Sequence, residues 1–359
     1  MIVARLVVPL AIPRYPLPGI LASLLIDTID QTVFEAILGQ EFAGYQLYDK
    51  ALDVYYQTIA YISTLRNWAR GPVFFVARCL WYYRLIGVVL FEIFDARSLL
   101  LVFPNTFEYY FIAIEFMKVA RNPFGLRTRQ AAALAAFIWV WIKLPQEWWL
   151  HVAQLDFTDL VKQYVFGVPR DAPWLSALRS RPLALLWFLV AGLAIVRVTR
   201  AAARRLSPAE WPATLAADTQ NAHMGWPTPP SRTRPTPFFG WAFAEKVLLV
   251  SLVVTIFVQI LPGAGPRLPE VWLGAASIVT ATAFISQTLA RRGVTWRSSV
   301  VQFTAMYAGN TALAISVQLI RPGILANSLP VVLFLIGIVT LIVSTYDRYR
   351  LIARARSAP

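Results

Sequence analysis

The chain has 359 residues, of which 58% are hydrophobic and 14% charged, and it carries a net charge of +14. A soluble domain of this length could not solvate that much apolar surface, and the long continuous apolar runs, without two-residue alternation, exclude a β-barrel. Lys and Arg stand in short clusters between those runs, the placement of loops beside anionic lipid, which excludes nucleic acid as the partner.

The reading is an all-α polytopic integral membrane protein of about nine transmembrane helices, preceded by an N-terminal amphipathic interfacial helix. Cys79 is alone, and His151 and His223 are the only histidines. No disulfide, resident metal or other cofactor is therefore expected.

The opening MIVARLVVPLAIPRYPLPG has one short apolar run, broken by Pro9, Pro13, Pro16 and Pro18 before it could span; no cleavable signal is evident. Residues 17–39 place Ile20, Leu21, Leu24, Leu25, Val33 and Ile37 on an apolar side opposite Asp27, Asp30 and Glu35. Such a helix lies in the outer interface, a tilted or re-entrant span being the alternative. Residues 1–42 thus form an extracytoplasmic N-terminal segment.

Spans are expected at 43–65, 72–94, 98–117, 131–151, 182–198, 246–262, 270–290, 299–320 and 324–345. Every second connection is basic: Arg66 and Arg70, then Lys118 to Arg129, Arg197 to Arg234, Arg291 to Arg297, and the tail from Arg348. By the positive-inside rule these face the cytoplasm, with the N-terminus outside, the C-terminus inside and the plasma membrane as the location. The bilayer itself, and anionic lipid at the cytoplasmic basic loops, are the expected partners. Composition divides the chain into a charged bundle (43–198), a Pro- and Arg-rich cytoplasmic linker (199–245), an apolar four-span bundle (246–345) and a basic tail (346–359). In that second bundle Ala305, Gly309, Ala312 and Ser316 share a face, a small-residue stripe that suits close intramolecular packing.

Four successive spans carry polar stripes at helical spacing. The first bears Asp49 and Asp53 with Lys50 at the edge, the second Arg78, Arg84 and Glu92, the third Asn105, Glu108 and Glu115, and the fourth Lys143, Glu147 and His151. A carboxylate in hydrocarbon costs several kcal/mol unless paired, neutralised or hydrated. The economical arrangement turns the four stripes toward one another around a polar cavity open outward. By depth, Arg84 is expected to pair with Glu108, and Arg78 with Glu115. Pro145 should kink the fourth span by freeing the carbonyl of Trp141.

No motif fixes a substrate. The leading expectation is transport of protons or a small solute, with Asp49, Asp53, Glu108 and Glu147 as the carboxylates that change charge. A second reading is an enzyme acting on a lipid-linked substrate at the outer face, its phosphate held by Arg78 and Arg84. A third is an assembly subunit in which buried charges only fix helix packing.

Overall fold

The computed structural model describes residues 1–38, 45–94, 96, 98–148, 160–170, 172–226, 240–259, 268–291, 299–320 and 329–356. Among them the fold is helical without a strand. Four helices are long and apolar enough to cross a membrane: Pro72–Phe94, Ser98–Lys118, Trp241–Val258 and Val332–Ala355. Apolar side chains such as Phe75, Trp141, Trp187, Leu273 and Leu319 cover the outside, where a soluble protein would carry charge.

The chain opens with α1 (Ile2–Val7) and a 3-10 turn at Val8–Ala11. Pro16 then starts α2 (Pro16–Leu38), as its fixed φ suits a first helical turn. This first segment lies along α3 (Tyr45–Asn67). The Tyr55 hydroxyl donates to the Leu6 carbonyl at 2.9 Å. Further along, Arg66 and Asn67 donate to the Pro13 carbonyl at 2.6 and 2.9 Å. Pro13 and Arg14 therefore sit at the end of the bundle that carries Arg66, here termed the basic end. That differs from an N-terminal segment held wholly on the opposite side.

From there α2 turns back and packs against α3 and α6 (Thr106–Lys118). The segment expected as an interfacial helix, 17–39, packs laterally on the bundle over its described part. Its stripe is inverted relative to a surface helix: Leu21, Leu25 and Ile29 face outward while Ser23 and Asp30 are buried. The polar side meets protein partners, and the apolar side is left for the surroundings.

α4 (Pro72–Phe94) leads to a helix in two pieces, α5 (Ser98–Val102) and α6. The expected continuous span from 98 is thus interrupted at Phe103–Asn105, where Pro104 removes a backbone donor. The carbonyls released there find side chains of α4. Tyr83 donates to Val102 at 2.7 Å and Arg84 to Phe103 at 2.9 Å. The close approach requires Gly87, because a Cβ there would lie 2.1 Å from Cβ of Phe103.

α7 (Thr128–Phe137) continues through a π-helical stretch, Ile138–Lys143, into a last turn, Leu144–Glu147. The Leu144 N–H bonds the Trp139 carbonyl, five residues back. Widening the ladder by one residue before Pro145, which has no N–H, replaces the simple kink expected there. A short helix α8 (Trp174–Ser180) precedes α9 (Ala184–Ala203).

Residues 204–226 were expected as part of an extended linker. Instead they fold onto the basic end and include α10 (Ala217–His223). The Ala217 N–H bonds the Arg14 carbonyl at 2.9 Å, Trp211 Nε1 the Lys118 carbonyl at 2.9 Å, and Asn221 Nδ2 the Asn67 Oδ1 at 3.0 Å. The PTPPSRTRPTP stretch lies outside the described residues.

α11 (Trp241–Gln259), α12 (Leu268–Arg291), α13 (Ser299–Ile320) and α14 (Leu329–Ala355) complete the chain. α11 and α14 pack on α3, and α11 also on α4, so one core runs through both halves. Asn310 joins three helices by donating to Thr282 at 3.0 Å and Thr340 at 2.9 Å. A Cβ on Gly309 would lie 3.0 Å from Ile285, so this small residue serves close packing inside the chain.

Candidate functional site

The polar stripes of α3, α6 and α7 converge, and α2 and the N-terminal segment join them. At the centre stands Arg5, buried on α1. Its guanidinium donates to Asp49 and Asp53, each at 2.8 Å, and also bonds Asp27 and Asp30. α2 supplies Asp27 and Asp30 three residues apart, and α3 supplies Asp49 and Asp53 four apart, so each pair shares a helix face. Asp30 is sealed, whereas the side chains of Asp27, Asp49 and Asp53 remain 23%, 31% and 25% exposed. Carboxylate oxygens of Asp27, Asp30 and Asp49 lie within 4.8 Å of one another. That spacing would suit a cation, and Arg5 fills it. Lys50, at the edge of this stripe, lays its ammonium 3.5 Å from the centre of the Phe91 ring.

The cluster continues through Tyr56. Its buried side chain stands in electrostatic range of Glu108, Asp53 and Asp27. Glu108 lies in the first turn of α6, where unpaired N–H groups favour a negative charge. Asn105, at the helix break, donates to it. Lys143 and Arg84 both stand in electrostatic range of Glu108. Lys143 is buried, 3.6 Å from Glu147 and 3.0 Å from the Gln146 oxygen, with its ammonium over the Tyr109 ring at 4.5 Å. A polar path therefore runs from the Arg5 cluster through Tyr56 and Glu108 to Lys143 and Glu147.

Two expected pairings give way to others. Arg84 uses its guanidinium on the Phe103 carbonyl and reaches Glu108 only through space. Arg78 and Glu115 are apart: Arg78 pairs with Glu245 at 3.0 Å. Glu115 accepts from Trp68 Nε1 at 2.5 Å and stands 3.7 Å from Lys118. The physical reason is competition. The helix break offers Arg84 a bare carbonyl, and α11 brings in a carboxylate just beyond the assumed start of its span. Glu92 is half-buried near the far end of α4. His151 lies outside the described residues.

Two members escaped sequence reasoning. Arg5 sits alone in an apolar opening run, itself a sign that a buried cation needs carboxylates elsewhere. Glu245 lies one residue before the span drawn from 246. It accepts from Tyr61 at 2.7 Å and from Tyr82 at 3.4 Å, and forms an ion pair with Arg350 at 3.3 Å.

At the basic end, Asp218 bridges Arg66 and, at 3.3 Å, Arg14. Burial lowers the Arg66 pKa from its ordinary value, with Arg348 and Arg14 adding to the effect. Arg356 donates to the Trp68 carbonyl at 2.6 Å and to the Leu65 carbonyl, and lies 4.2 Å from the Trp226 ring. Burial, helped by Arg70, pushes its pKa down to about 10.

Comparison with protein-family models, with characterised proteins and with solved structures finds no match for this chain.

Proposed function

We propose that this is a transport protein that moves protons, or a small solute coupled to them, along the polar path from the Arg5 cluster to Glu108. The reading places all nine spans in the plasma membrane, with the basic end and the C-terminus in the cytoplasm. The bilayer is its surroundings, and anionic lipid meets its basic loops.

One observation carries the proposal. Four carboxylates surround a single guanidinium, and Tyr56 stands in electrostatic range both of Asp27 and Asp53 and of Glu108, which lies at the break of a discontinuous helix. One guanidinium balances one carboxylate. The remaining charge calls for protons or a solute cation, since unbalanced charge in a low-dielectric interior is costly. Three of the four aspartates retain an exposed edge through which a proton can arrive. Broken helices with polar groups at the break are a recurring construction in secondary transporters.

The enzyme reading required Arg78 and Arg84 to share a phosphate. They have separate partners, Glu245 and the Phe103 carbonyl, which favours transport. A pure packing role predicts neutral substitutions that keep the fold and change nothing else.

The experiment is flux. Reconstituted protein should dissipate or build a pH gradient across vesicles, alone or with a driving solute. Glu108→Gln, Asp53→Asn and Arg84→Ala should each lower that flux at unchanged protein content. If Glu108→Gln and Arg84→Ala leave it intact, the proposal fails.

A further inference from the structure

We propose that Arg70, Arg78, Arg350 and Arg354 form a site for the phosphate of an anionic lipid headgroup, distinct from the transport path. Arg70 lies two residues before α4, and Arg78 lies nearly two turns inside it. Arg350 and Arg354 occupy one face of the last two turns of α14. Arg70 stands in electrostatic range of these three guanidiniums, of Glu245 and of Arg356, which is already committed to the Trp68 and Leu65 carbonyls.

Glu245 is already committed. Its Oε1 takes Arg78 and two tyrosines, and its Oε2 takes Arg350. Among the described residues no carboxylate pairs with Arg70 or Arg354. Four guanidiniums thus share one carboxylate, and the surplus positive charge calls for an anion. Arginine forks match phosphate oxygens in pairs.

Position selects the source of that phosphate. From Pro72 to Arg78 the helix rises roughly 9 Å, comparable to the headgroup layer of about 5–8 Å on each side of a bilayer. Phe75, one turn from Arg78 on the same face, is exposed, so an acyl chain can lie beside the site. A free phosphate has no use for that apolar edge.

The test is a titration of short-chain phosphatidylglycerol into the detergent-solubilised full chain, with phosphatidylcholine and inorganic phosphate as parallel arms. Arg70→Gln with Arg354→Gln should weaken phosphatidylglycerol binding by roughly fivefold per arginine removed. Arg70→Lys with Arg354→Lys, which keeps charge and loses the fork, should fall between. Arg170→Gln with Arg179→Gln, exposed arginines outside the basic loops, should bind like the parent, and all variants should melt like the parent. The proposal is overturned if the glutamine pair binds like the parent. It is also overturned if the loop control weakens equally, if phosphatidylcholine binds as well, or if inorganic phosphate binds as tightly as the lipid.

Discussion

Arg5 and Asp53 meet at 2.8 Å across 48 residues of chain. That contact makes a short N-terminal segment part of the interior. Replacing Arg5 with Ala removes the guanidinium that four carboxylates share, and losing one partner of a buried pair costs about 3–5 kcal/mol. Arg5→Ala should therefore melt well below the parent in detergent. Adding Asp53→Asn to that variant should recover part of the loss, because one of the charges that faced Arg5 is removed.

Glu245 predicts a second large effect. Glu245→Ala leaves Arg78 and Arg350 facing each other without their acid, again about 3–5 kcal/mol. Glu245→Gln keeps an acceptor for Tyr61 and should cost less. A double-mutant cycle with Arg350→Gln should show coupling, the pair of changes costing less than their sum.

The α4–α5 contact has no room for a methyl group. Gly87→Ala should destabilise by at least the 1–3 kcal/mol typical of overpacking, because the neighbour at 2.1 Å is the Cβ of Phe103, anchored to backbone. Thermal melting checks it, with Gly71→Ala, where nothing lies within 4 Å, as the control.

Asp218 is half-exposed and holds Arg66 and Arg14 together. Exposed pairs contribute at most about 1 kcal/mol each, so Asp218→Asn should barely change the melting temperature. It should instead loosen residues 204–226, read as faster cleavage at Arg204 and Arg205 in limited trypsin digestion.

The shared faces of Asp49 with Asp53, and of Lys143 with Glu147, were legible because helical spacing fixes them whatever their neighbours. The direction of the α2 stripe was not: an amphipathic helix reads the same whether its polar side meets water or Arg5. Pairings were not legible either. Depth alone matched Arg84 with Glu108 and Arg78 with Glu115, but a carbonyl freed at Pro104 and a carboxylate arriving on α11 are products of the fold. The docked stretch around Trp211 and Ala217 reads as linker because its partners, Arg14, Arg66, Asn67 and the Lys118 carbonyl, are distant in sequence and brought to it only by the fold.

The central claim is that the carboxylates around Arg5 exchange a proton while the protein remains folded. Infrared difference spectroscopy of the reconstituted protein, stepped across the neutral pH range, measures this directly. The account predicts a protonated-carboxyl band that appears on acidification, reverses on return, and is lost or shifted in Asp53→Asn and Asp27→Asn. A spectrum with no titrating buried carboxyl, or a band unchanged in both variants, would contradict it.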